Sequence, residues 1–133
     1  MKKYLIKSKI FFKLYLIYFA LKYKFFTNKK SYSQFGEDMV IQNYFGDFIG
    51  TYVDLGCFHP IKYSNTALLH KKGWKGFNID LNQTSIQLFD VCRKDDVNLV
   101  ACLSDKNEEA QVYIDSEFSA LNSMHPVNAE KFN

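Results

Sequence analysis

The chain has 133 residues, 47% of them hydrophobic and 17% aromatic, which suits one domain with enough apolar material for a core. Its net charge of +3 conceals an asymmetry: residues 1–30 carry nine lysines and no acid, while the rest sets eight basic residues against all fourteen acids. A nucleic-acid binder carries its positive charge on the folded body, and this body is acidic, so that class is excluded.

From Tyr4 to Phe26 the sequence is rich in Leu, Ile, Phe and Tyr and has no Gly or Pro, which predicts a helix. Its longest uncharged stretch, Leu14–Leu21, is eight residues, far short of the roughly 20 needed to span a bilayer. Ala20 is the one small residue near a signal-type cleavage position, which argues against cleavage. Three readings stay open: a basic aromatic helix on an anionic membrane surface, a helix packed on the body or a partner, and an uncleaved signal anchor. A boundary near residue 30 separates this segment (1–30) from the body (31–133).

In the body, Ser33-Gln34-Phe35-Gly36-Glu37-Asp38 precedes Met39, Val40, Ile41, Tyr44 and Phe45, predicting a short helix with acids in its first turn. Thr51-Tyr52-Val53-Asp54-Leu55-Gly56 reads as a buried strand. A helix capped by Ser64 or Asn65 follows, runs to Lys72 and stops at Gly73. Gly76–Asp80 is a second strand, and Thr84 with Gln87 has capping-box spacing for a helix carrying Ile86, Leu88 and Phe89. Val97–Leu103 is a third strand, and Gln111–Ile114 a fourth, set as a hairpin arm. Strands alternating with helices at this spacing predict an α/β fold with a parallel sheet and right-handed crossovers.

Ligands of such sheets bind at the carboxyl ends of the strands. Gly56 at the first end permits a tight turn and close backbone approach. Asp80 at the second end lies 24 residues after Gly56, near the spacing of about 20 at which an acid meets the ribose of an adenosine cofactor. Asp105, with Ser104, stands after the third strand, where an adenine edge would come. One glycine followed by Cys57, Phe58 and His59 does not suit a pyrophosphate, so NAD and FAD are disfavoured; S-adenosylmethionine (SAM), which has no phosphate, is a better match. The blander roles are a turn cap for Asp54, a turn histidine before Pro60 for His59, and helix-start residues for Gln34 and Glu37. The odd cysteine count (Cys57, Cys92, Cys102), without short spacing, implies reduced thiols, no metal site and a cytoplasmic location, peripheral at the inner face of the membrane if residues 1–30 bind it.

Taken in order, Ser33-Gln34-Phe35-Gly36-Glu37-Asp38, Tyr52-Val53-Asp54-Leu55-Gly56, His59-Pro60, Tyr63-Ser64-Asn65-Thr66 and Gly73-Trp74-Lys75-Gly76 leading to Ile79-Asp80 resemble the FkbM family of SAM-dependent methyltransferases. The resemblance covers about residues 31–125 and implies a Rossmann-like methyltransferase fold that O-methylates a sugar, glycan or metabolite hydroxyl. It implies that Asp54 and Gly56 line the methionine side of SAM, that Asp80 holds the ribose and that Asp105 lies near the adenine. Gln34 and Glu37 would form a pocket wall, and His59, Tyr63 and Asn65 would reach the cofactor or the acceptor. No general base is implied. The family pattern continues into a further strand with an Asp-Val-Glu-Gly-like motif, and this sequence ends at Asn133 before it. The expectation is therefore the N-terminal half of the fold, with an unpaired sheet edge open to association. The rival expectations are an inactive fragment and a membrane-associated binding module without catalysis.

Overall fold

The computed structural model describes residues 9–26 and 30–106. In chain order these form α1 (Lys9–Phe26), α2 (Glu37–Phe45), β1 (Thr51–Leu55), α3 (Ala67–Lys71), β2 (Lys75–Asp80), α4 (Gln83–Cys92) and β3 (Val97–Val100). The three strands form one parallel sheet in the order β1-β2-β3, so the predicted α/β alternation is present. Asp105, expected after the third strand, is described, whereas the fourth strand expected at Gln111–Ile114 lies outside the described residues.

Both crossovers place their helices on the same face of the sheet. Leu69 of α3 packs with Tyr52 of β1 and Trp74, and α4 lies against β2 and β3. Gly76 makes the close fit possible, because a Cβ there would stand 2.4 Å from the Tyr52 carbonyl oxygen. Outside this layer α1 packs on α4, burying Leu16 and Ala20. The described region is thus three layers deep, with α1 outermost, α3 and α4 between, and the sheet beneath.

The opposite face of the sheet is open. Val53, Phe77 and Val97 align across the register in one row, and Leu55, Ile79 and Leu99 in the next. All but Ile79 are between 43% and 62% exposed. Apolar runs of this kind predict strands buried on both sides; the difference is that no described element lies over this face. Within the described residues β1 also has a free edge, because only β2 pairs with it.

Local corrections have clear causes. The cap of α4 is Asn82, whose side chain accepts from Thr84 N and Ser85 N, two residues before the predicted Thr84. Helix α3 starts after Thr66 with no side-chain cap, since the hydroxyls of Ser64 and Thr66 are engaged elsewhere, as described below. Strand β3 ends at Val100 rather than Leu103, although Ala101 N still donates to Asp80 O at 3.1 Å.

Candidate functional site at the strand ends

The carboxyl ends of β1 and β2 bring Asp54, Gly56 and Asp80 together. Gly56 adopts a φ of +70°, and a Cβ there would meet nothing within 4 Å. Its place is therefore set by backbone conformation, with open space in front of it. Gly56 N and Cys57 N both donate to Ile79 O, at 2.9 and 3.2 Å, which ties the turn to β2. Asp80 completes the tie: one carboxylate oxygen accepts from Phe58 N and the other from Asn82 N, each at 2.8 Å. A carboxylate offers about four lone-pair positions, so each oxygen keeps one for a ligand.

Asp54 accepts from the Thr66 hydroxyl at 2.6 Å. Burial pushes its carboxyl above the ordinary range, and the neighbouring Asp80 adds to the rise, while the Thr66 bond and Arg93 oppose it. Two carboxylates held this close to an open glycine turn form an acceptor-rich patch suited to hydroxyl or ammonium donors.

The loop that follows β1 is unusual in backbone terms. Phe58 and Tyr63 both have positive φ, +52° and +56°, which for bulky residues marks a strained loop held by its surroundings. The two rings stack at 6.5 Å. Between them His59 is 2% exposed, its Nδ1 accepting from Ile61 N at 3.0 Å and Lys62 N at 2.9 Å. Its ring lies against Phe19 and Tyr23 of α1, and Nε2 is buried without a hydrogen-bond partner. Burial, with Lys62 and Arg93 nearby, depresses its pKa to about 3, so the imidazole is neutral. The structure places His59 inside the turn, facing α1.

Beneath the loop lies a polar cluster that sequence reasoning missed. Arg93, 2% exposed, donates through Nη1 to Tyr52 Oη, Thr66 Oγ1 and Asn78 Oδ1, and through Nη2 to Pro60 O and Ser64 Oγ. Asp96 accepts from Tyr52 Oη, Gly76 N and Asn78 Nδ2. Burial raises the Tyr52 phenol to about 12, the Asp96 carboxylate assisting against the pull of Arg93. His70 Nδ1 lies 3.5 Å from Asp96, but burial first, then Arg93, favours the neutral imidazole, so the contact is not a strong ion pair. The chain Arg93–Thr66–Asp54 therefore fixes the β1 acid from behind. One signal was available: Arg93 is the single arginine among seventeen basic residues.

The other predicted residues fall elsewhere. Gln34 is exposed. Glu37 accepts from Phe35 N at 2.8 Å at the start of α2. The motif around them is organised by Asp38, fully buried, which accepts from the Ser31 and Ser33 hydroxyls and from Tyr32 N and Met39 N. This segment joins the β1 loop through Ser64 N donating to Tyr32 O at 3.1 Å. Asp105 is exposed and accepts only weakly from Ser104 Oγ, at 3.3 Å. Asn65 and Tyr63 are exposed. A cavity of about 380 Å³ lies behind the loop, bounded by Ile17, Ala20, Tyr32, Pro60, His70 and Arg93; Asp54, Gly56 and Asp80 do not line it. Among the described residues no cluster of His, Cys, Asp and Glu can hold a metal ion. Comparison with family models, curated proteins and solved structures finds no match to this chain.

Proposed function

We propose that the chain binds SAM at the β1 and β2 strand ends and serves an FkbM-type methyltransferase, acting on a hydroxyl of a sugar, glycan or small metabolite. The observation that carries this reading is the convergence of Asp54, Gly56 and Asp80 at adjacent parallel strand ends, with open space over the glycine.

The residues present fit the cofactor. Asp80 retains a free lone pair on each oxygen, which matches the two vicinal hydroxyls of a ribose. Asp54 offers an acceptor to the aminoacyl end, and Gly56 lets the backbone come close without a side chain. SAM supplies a methyl group on a sulfonium, an electrophile that an acceptor hydroxyl can attack. The task of this chain is to hold donor and acceptor in near-attack geometry, through a loop whose position Arg93 fixes from below.

Calorimetric titration with SAM and S-adenosylhomocysteine tests the reading. Saturable binding is expected, weakened about tenfold or more in Asp80→Asn, because a hydrogen bond to a charged group is worth roughly 1.5–3 kcal/mol. A folded chain that binds neither compound sinks it. Binding without methyl transfer is the second reading, favoured by the burial of His59, which closes that imidazole to a substrate proton. Radiolabelled methyl transfer to a panel of carbohydrate acceptors separates the two.

A further inference from the structure

We propose that α1 is a two-faced helix, holding the body with one face and docking the protein on an anionic membrane surface with the other. This goes beyond the cofactor site and does not depend on it.

The residues of α1 divide into two apolar stripes. Leu16 and Ala20 are buried, and Phe19 and Tyr23 lie against His59, so this face packs inward. Ile10, Phe11, Leu14, Tyr18 and Leu21 form the other stripe, every one of them between 54% and 72% exposed. The spacing 10, 14, 18, 21 is that of a single helical face. With 3.6 residues per turn, the outer stripe lies opposite the inner one. A helix that is merely packed on a body carries polar residues on its outer side. Five large apolar side chains in contiguous exposure mark an interaction surface.

The lysines identify the partner. Lys13 and Lys22 are exposed and fall on the two borders of the outer stripe, about 100° to one side of Leu14 and about 80° to the other. Their aliphatic stems can lie along the stripe while the ammonium groups reach headgroup phosphates. No acid occurs in residues 1–30, and seven further lysines do. Tyr18 within the stripe suits the interfacial region, where an amphipathic ring is favoured. No helix among the described residues is long and apolar enough to cross a membrane, so α1 would lie in the surface plane. Lys13 and Lys22 share no single face because they stand on the two borders between the apolar stripes.

Vesicle co-sedimentation of the full chain tests this. Wild type is expected to bind vesicles of phosphatidylcholine mixed with phosphatidylglycerol, to release them as salt rises, and to ignore phosphatidylcholine alone. The pair Lys13→Gln and Lys22→Gln should weaken binding about fivefold per lysine. The pair Leu14→Ser and Tyr18→Ser should abolish it, with thermal melting unchanged because both side chains are already exposed. Equal binding by the Leu14/Tyr18 variant overturns the proposal. So does a wild-type chain that ignores anionic vesicles, or one whose outer stripe instead forms a dimer that the same variant dissolves.

Discussion

Arg93 reaches three elements at once because its guanidinium is a planar fork: one nitrogen serves Tyr52, Thr66 and Asn78, the other Pro60 and Ser64. Lysine carries the same charge on a single flexible point and cannot span both sets. Replacing Arg93 by Met leaves several buried acceptors and Asp96 uncompensated, and should lower stability by about 4 kcal/mol. Arg93→Lys should lower it by about 2 kcal/mol. Urea denaturation reads both; a lysine variant as stable as wild type would show that charge alone suffices. His59 gives a pH dependence of definite sign. Its pKa falls from 6.5 to about 3 on folding, so the unfolded chain binds more protons between those values. The stability it contributes is complete above pH 6.5 and is lost as the pH falls through that window, with a limiting slope of about 1.4 kcal/mol per pH unit. His70 shifts in the same direction, while the raised Asp54 carboxyl acts oppositely, adding stability as the pH falls through its own lower range. In His59→Asn the amide oxygen can take over the acceptor place of Nδ1. Urea midpoints compared between about pH 7 and pH 5 should then fall less steeply than in wild type.

At the scale of elements, the strands were legible because their apolar runs end at Gly and Asp. Asp54, Gly56 and Asp80 were legible as neighbours for the same reason, since parallel strands align their carboxyl ends. The caps were less so. Ser64, Asn65 and Thr84 have capping chemistry, yet Ser64 is taken by Arg93, Thr66 by Asp54, and Asn82 reaches the first turn of α4 ahead of Thr84. A side chain with a long-range partner is lost to local duty, and no local pattern records that. Gln34 and Glu37 drew notice in a motif whose buried centre is Asp38. The glycines separate in kind. Gly76→Ala would press a Cβ to 2.4 Å from the Tyr52 carbonyl and 2.5 Å from its ring, and should cost about 2–3 kcal/mol through forced separation of β1 and β2. Gly56→Ala meets open space and pays only for its positive φ, about 1 kcal/mol. Thermal or urea melts of the two variants should rank them in that order.

The whole described region has two apolar surfaces on opposite sides, the outer stripe of α1 and the open face of the sheet. The order β1-β2-β3, with every crossover on one side, explains the second: helices wound in a single direction can cover only one face. The sequence pattern contained both surfaces but not their separation, because periodicity shows that a residue is apolar without showing which neighbour, if any, it meets.

The clamp of Arg93 and Asp96 has a consequence for synthesis. Its donors and acceptors belong to the α4–β3 junction, whereas what it holds, Tyr52, Pro60, Ser64, Thr66 and Gly76, is made earlier. A ribosome that has extruded β1, α3 and β2 has therefore released a turn tied to β2 at Ile79 and Asp80 but not yet clamped through Pro60, Ser64 and Thr66. The candidate site, early in sequence, is set late in time. Arrested nascent chains whose exposed portion ends on either side of residue 96 should differ accordingly, with the loop from Gly56 to Thr66 resisting protease only in the longer ones.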